Sequence, residues 1–238
     1  MTSAEFVEVP ASTTHLIHDL DGTILDSSGI YCNSFNAMAD ERGIPRATEA
    51  LLRAYHHGRP DESIYHVLLA LGVDTTANEL NGFMIDFYRH DNVAIENPDD
   101  HLFPDAVNFI RLADAHGKNQ TVVTNRPHGK DRGNGSPRNI ITNSCLRSLI
   151  GRVVCGDDSE YHKPDRRVLD AHFGADLTSL GEMVVVGDQY VDAEFARNLG
   201  CAAILVAREG TIPHLDKLGK DTSHVTIVPS LDCITFAS

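Results

Sequence analysis

Thr14-His15-Leu16-Ile17-His18 reads as a strand and runs directly into Asp19-Leu20-Asp21-Gly22-Thr23. That junction narrows most what the chain can fold into, because open α/β sheets keep their chemistry at the carboxyl ends of their strands. If Asp19 ends the strand and Gly22 lets the chain turn, both carboxylates reach one crevice, beside backbone N–H groups able to hold an anion. Two acids this close repel, so a cation is implied. A simple turn also accounts for Asp-x-Asp-Gly; three further polar signals downstream, in order, favour a site.

The first follows Gln120-Thr121-Val122-Val123, a β-branched run ending at Thr124-Asn125-Arg126-Pro127. A Thr hydroxyl and the backbone N–H groups after it can hold phosphate oxygens, although a strand-ending Thr before a Pro turn needs no function. The second is Lys163-Pro164, with Pro164 expected at the first position of a helix carrying Val168, Leu169 and Phe173 on one face. Lys163 then stands near a helix N-terminus as a point charge, or is a solvated surface residue. The third is Met183-Val184-Val185-Val186-Gly187, which reads as a buried parallel strand, then Asp188 and a helix through Ala193, Ala196 and Leu199 to Gly200. Asp188 and Asp192 can share a metal or its waters, while Asp192 also suits the helix dipole.

With all four in place the chain resembles the haloacid dehalogenase superfamily, in its phosphoglycolate-phosphatase-like branch with a helical cap. The resemblance implies a Mg²⁺-dependent phosphotransfer enzyme in which Asp19 is the nucleophile and Asp21 the general acid and base. It implies phosphoryl binding by Thr124 and the Asn125 backbone, a steadying Lys163, and metal binding by Asp19, the Asp21 carbonyl and Asp188 with help from Asp192. The chemistry suits those roles. A carboxylate nucleophile splits one difficult displacement into two, and Mg²⁺ prefers oxygen ligands. Asp21 needs coupling to bound phosphate, because an unperturbed Asp pKa of about 3.9 leaves little acid at neutral pH. Thr23 is expected to orient one of these two carboxylates or to cap a turn.

The rest of the chain fits a doubly wound, mostly parallel α/β sheet with an inserted helical cap. Helical faces recur at Tyr31, Phe35, Met38 and Ala39, at Ile64, Val67, Leu68 and Leu71, and at Leu80, Phe83, Met84, Phe87 and Tyr88. The cap is expected over 28–99, hinged near Asp26–Gly29 and Asn97–Asp100, with 1–27 and 100–238 forming the core. Closure would exclude water and select the substrate. Arg59, in Gly58-Arg59-Pro60 between cap helices, is the candidate for the substrate's non-reacting end or a surface residue. A helix from Pro104 to a Gly117 stop and strands near 153–155, 183–187, 202–206 and 225–228 complete a βαβ rhythm.

Lys+Arg 20 against Asp+Glu 34 gives a formal charge of −14, which argues against nucleic acid or an anionic membrane as partner. A phosphorylated small molecule must be drawn by local cations. The N-terminus has no signal-peptide pattern and no run of about 18 apolar residues occurs, so a cytoplasmic protein is expected. The five cysteines show no ligand spacing and are read as reduced, mostly buried thiols. Two features depart from the family. His18 stands where an apolar residue is usual, and Gly129–Pro137 interrupts the helix normally found there, so a mobile loop is expected, with Lys130 and Arg132 as anion contacts or solvated residues.

Phosphate-monoester hydrolysis is the leading reading. A sugar-phosphate phosphomutase would share every core residue, and a non-catalytic binding module would retain the fold. C–P bond hydrolysis needs a cap lysine, yet 28–99 contain none. Carbon–halogen hydrolysis is disfavoured by Asp21.

Overall fold

The computed structural model describes residues 6–55, 60–128, 133–212, 214–219 and 221–237. Eight strands are present among them: β1 (Val7–Val9), β2 (Thr13–His18), β3 (Asn119–Val123), β4 (Arg152–Val154), β5 (Glu182–Gly187), β6 (Ala202–Val206), β7 (Val225–Val228) and β8 (Ile234–Phe236). Eight α-helices accompany them: α1 (Ser28–Arg42), α2 (Glu49–Tyr55), α3 (Pro60–Ala70), α4 (Ala77–Val93), α5 (Pro104–Ala115), α6 (Pro137–Thr142), α7 (Asp170–Phe173) and α8 (Tyr190–Leu199).

Six strands form one sheet in the order β4-β3-β2-β5-β6-β7, every neighbouring pair parallel. The alternation of side chains across a strand builds its two faces. Ile17, Val123, Val185 and Leu205 pack with Phe195 and Ala196 of α8 on one side. Leu16, Val184, Val186 and Ile204 pack with Ala106 and Phe109 of α5 on the other. The strand order reverses direction between β2 and β5, so their carboxyl ends border the crevice that such sheets use for ligands. A separate parallel pair, β1 with β8, ties the two ends of the described chain together; these three-residue strands carry too little pattern to be read from sequence.

The four helices between β2 and β3 have an apolar centre of their own, built from Phe35, Met38, Leu52, Ile64, Val67, Leu68, Phe83 and Phe87. The helical periodicity foresaw three of them. Helix α2, seven residues with only Leu52 buried, was not foreseen. Helix α1 stops at Gly43, left-handed at φ 65, and α4 starts at a capping box in which Thr76 and Glu79 bond reciprocally. The two chain connections to this helical insert run side by side, with Asp26 N–H donating to His101 O at 2.8 Å and Phe103 N–H to Ile24 O at 2.9 Å.

Two local expectations change. Pro164 follows a cis peptide bond and lies before, not inside, the next helical turn; Asp165 caps a 3₁₀ turn over Arg166–Leu169 that leads into α7. In the stretch read as a mobile loop, 129–132, with Lys130 and Arg132, lie outside the described residues, whereas Gly133–Ser136 are held in place. Asn134 donates to Glu96 O at 2.8 Å and Gly135 O accepts from Arg126 at 3.0 Å. The cysteines are free thiols, but only Cys155 and Cys233 are buried; Cys32 and Cys201 are half-buried and Cys145 is exposed.

Candidate active site

The site assembles at the carboxyl ends of β2, β3 and β5. Asp19 continues the ladder one residue past β2, its N–H donating to Val186 O at 2.8 Å. The chain then turns tightly, with Gly22 N–H on Leu25 O and Leu25 N–H on Leu20 O, both 2.8 Å. Gly22 has φ +80, and a Cβ there would lie 2.3 Å from Asp188 Oδ2, so no other residue allows this approach. Gly187 meets the same demand on the neighbouring strand, where a Cβ would lie 2.3 Å from Asp192 Cγ.

Asp19, Asp188 and Asp192 each bring a carboxylate oxygen within 4.8 Å of the others. Burial first, then the neighbouring Asp192 and Asp21 charges, push the Asp19 carboxyl up to about 7 against the pull of Lys163. Burial and the Asp19 and Asp192 charges likewise raise Asp188 well above the usual carboxylate range. Such a cluster is short of positive charge. Lys163 supplies one cation, its Nζ donating to Asp19 Oδ1 and Asp192 Oδ1 at 2.7 Å each. Burial alone would lower its ammonium, but Asp19 and Asp192 hold it above its ordinary value. The remaining all-oxygen set of hard donors fits a divalent cation such as Mg²⁺. Both Asp192 oxygens already accept, Oδ2 from Gln189 N–H at 3.1 Å, so Asp192 acts on the cluster chiefly through Lys163.

Lys163 is thus a buried member of the site, 3 % exposed, and not a helix-terminal surface charge. Asn125 fixes it from β3: its side-chain amide donates to Lys163 O at 3.1 Å and accepts from Lys163 N–H at 2.8 Å. Thr124 Oγ1 accepts from Arg126 N–H at 3.0 Å, which leaves its own proton to donate into the cavity. Thr23 orients a carboxylate, but that of Asp188 (3.0 Å) instead of Asp19 or Asp21. Arg59 lies outside the described residues. His18 faces the core, where its Nε2 meets Gln120 Oε1 at 3.0 Å.

Three groups escaped the sequence reading. Arg126 lies 3.1 Å from Asp21 and 3.1 Å from Asp91 of α4. Gln189 closes the reciprocal cap with Asp192. Arg208, after β6, donates to Thr23 O at 2.9 Å and Gly22 O at 3.3 Å while paired with Asp105 at 2.7 Å. Arg126 stood inside a quoted motif without a partner in view, Gln189 is marked by its place three residues before Asp192, and nothing local marks Arg208.

A cavity of about 50 Å³ covers Asp19, Asp21, Thr124, Asn125 and Lys163, roofed by Tyr31, Ser63, Phe87 and Tyr88 of the helical insert. A larger one, about 310 Å³, adjoins it beside Gly22 and Asp188, between Arg53 of α2 and Arg208.

A doubly wound parallel sheet with a helical insert roofing carboxylates and a buried lysine at its switch point defines an α/β enzyme of the hydrolase type. A family model for haloacid dehalogenase-like hydrolases matches residues 16–206, and the chain belongs to that family. A phosphoglycolate phosphatase of Yersinia pseudotuberculosis serotype I is 24% identical over 188 residues, 78% of this chain and 77% of its own. The crystal structure of a predicted phosphoglycolate phosphatase from Haemophilus somnus 129pt superposes with TM-score 0.71 at 20% identity, covering 93% of this chain and 96% of that one. A mutant of CbbY from Rhodobacter sphaeroides, in complex with xylulose-(1,5)bisphosphate, superposes with TM-score 0.66 at 16% identity over 92% of this chain and 95% of that one. Among the described residues no helix is long and apolar enough to cross a membrane.

Proposed function

We propose that this phosphatase hydrolyses a small phosphorylated metabolite through an aspartyl phosphate on Asp19. The observation that carries the reading is the Lys163 ammonium 2.7 Å from Asp19 Oδ1, inside a cavity shared with Asp21 and the Thr124 hydroxyl.

In the first step an Asp19 carboxylate oxygen attacks phosphorus, the ester P–O bond breaks, and Asp21 gives its proton to the leaving oxygen. In the second, a water attacks the acyl phosphate while Asp21 takes back a proton, releasing inorganic phosphate and regenerating Asp19. Lys163 keeps Asp19 ionised and aimed, and with Thr124 and the backbone N–H groups after it meets the phosphoryl oxygens. Mg²⁺ held by Asp19, the Asp21 carbonyl and Asp188 would neutralise charge on the transferring group. The helical insert acts as a cap that excludes water during the first step. The substrate's remainder has room in the adjoining 310 Å³ cavity, and the names of the relatives make 2-phosphoglycolate the first compound to try.

The test is phosphate release from a panel of phosphomonoesters, with and without Mg²⁺, by the wild type and Asp19→Asn. Metal-dependent release lost in Asp19→Asn supports the reading. Conversion of a sugar phosphate to its isomer without net release would replace hydrolysis by a mutase.

A further inference from the structure

The guanidinium of Arg126 spans the boundary between sheet and cap. It leaves the end of β3, and its Nη2 lies 3.1 Å from Asp21 Oδ1. Its Nη1 lies 3.1 Å from Asp91 Oδ2 and donates to Gly135 O at 3.0 Å. Arg126 is 7 % exposed and Asp91 is fully buried. Asp91 sits in the last turn of α4, whose Phe87 and Tyr88 roof the cavity. Burial opposes the Arg126 charge, yet Asp21, Asp91 and Tyr88 hold it above its ordinary value, so the group is a permanent cation.

A buried ion pair is seldom the cheapest way to fill a core, since packed apolar side chains often match or exceed its stability. Its value here lies in geometry. A planar guanidinium lies against two carboxylates at once, hydrogen-bonded to Asp91 Oδ1 at 3.4 Å and in ionic contact with Asp21 Oδ1 at 3.1 Å, which a lysine's single ammonium cannot match. The same residue's N–H donates to Thr124 Oγ1 at 3.0 Å. One residue therefore orients the phosphate-facing hydroxyl through its backbone and the proton-transferring carboxylate through its side chain.

We infer that Arg126 is a positioning residue, anchored by Asp91 of the cap, that aims the Asp21 carboxyl at the leaving-group oxygen. The inference deepens the proposed phosphatase reading and rests on it. A misaimed acid harms a poor leaving group, which must be protonated as it departs, more than a good one that leaves as an anion. A residue that merely supported the fold would reduce both reactions alike. Positioned proton transfer contributes roughly 10²–10⁴-fold, which sets the scale of the effect.

The experiment compares an alkyl phosphate (glycerol phosphate) with an aryl phosphate of good leaving group (p-nitrophenyl phosphate) at saturating Mg²⁺, reading kcat and KM separately. For Arg126→Gln the alkyl-to-aryl ratio of kcat/KM, which reports leaving-group departure and not the second step common to both esters, falls by about 100-fold with KM for the alkyl ester within about threefold. Arg126→Lys recovers part of the ratio, and Asp91→Asn lowers it by about tenfold. If Arg126→Gln fails to fold because Asp91 loses its guanidinium, Arg126→Gln with Asp91→Asn removes both buried charges together and gives the same low ratio. A ratio unchanged in the folded variants overturns the inference while leaving the phosphatase reading intact, as does a rise confined to KM, which would make Arg126 a substrate contact. Absence of Mg²⁺-dependent release by the wild type overturns both.

Discussion

Lys163 Nζ stands 2.7 Å from Asp19 Oδ1, although the two residues are 144 positions apart in the chain. The ammonium bridges equally to Asp192 Oδ1, so one cation sits between the Asp19 carboxylate and one that is held still by Gln189 N–H. The three come together because β2 and β5 end side by side at the switch point of the sheet, while the loop after β4 is tied to the end of β3, where Asn125 pins Lys163.

Replacing Lys163 separates its charge from its shape. Lys163→Met leaves Asp19 and Asp192 buried without their cation, a loss of about 3–5 kcal/mol for breaking a buried pair, and lowers kcat by about 10²–10³-fold, the scale of a lost electrostatic donor. Lys163→Arg keeps the charge but cannot place one atom between both oxygens, so thermal unfolding shows partial recovery of stability while turnover stays low. Full activity in Lys163→Arg would contradict the bridging role.

Thr23→Val removes the hydroxyl that donates to Asp188 Oδ1 at 3.0 Å, with little change in volume. Outer hydrogen-bond partners of metal ligands typically contribute 10–100-fold in affinity. The Mg²⁺ concentration giving half-maximal activity rises by about that factor, with kcat at saturating metal reduced much less. Titration of activity against Mg²⁺ reads the effect.

Arg208 holds the turn that carries Asp21 and Thr23 by its two carbonyls, and Asp105 holds Arg208. Arg208→Ala leaves Asp105 to Ser230 and the Leu231 N–H and frees the turn. Charged hydrogen bonds of this kind contribute about 2–3 kcal/mol. Chemical denaturation shows that loss, and activity falls even at temperatures where the variant is fully folded.

His18 makes stability fall in acid. Burial above all, and the nearby His15, hold its ring down to about 4 against the hydrogen bond to Gln120, whereas the ordinary value is 6.5. Between those pH values the unfolded chain binds a proton that the folded one refuses, so stability declines as pH drops from about 6.5 to about 4, by at most about 3 kcal/mol from this residue. The raised Asp19 carboxyl works in the opposite sense from about 4 to about 7, so the informative quantity is a difference. In urea denaturation at pH 7 and pH 5, His18→Leu loses less stability on acidification than the wild type. Equal losses would place the acid sensitivity elsewhere.

What could be read in the sequence was what lies within a few residues of a strand end. Apolar runs stopping at Asp19, Thr124 and Asp188 announce themselves, and the sheet follows from their spacing with intervening helices. Lys163 was found for its motif, and the resemblance set it to steady Asp19, but its burial could not be read because it depends on Asn125, 38 positions away. Asp91 and Arg126, or Asp105 and Arg208, are ordinary charged residues until the cap lies over the core and β6 lies beside β5. Helix α2 and the β1–β8 pair are too short to carry periodicity.

The most direct measurement is capture of the phosphoryl group during turnover. The wild type is acid-quenched in the steady state with its best phosphomonoester, reduced with borohydride, digested and mapped by mass spectrometry. An acyl phosphate on Asp19 converts that residue to homoserine, and the account predicts this change at Asp19 and its loss without Mg²⁺. Turnover with Asp19 never modified, or with the phosphoryl group found on another side chain, would contradict it.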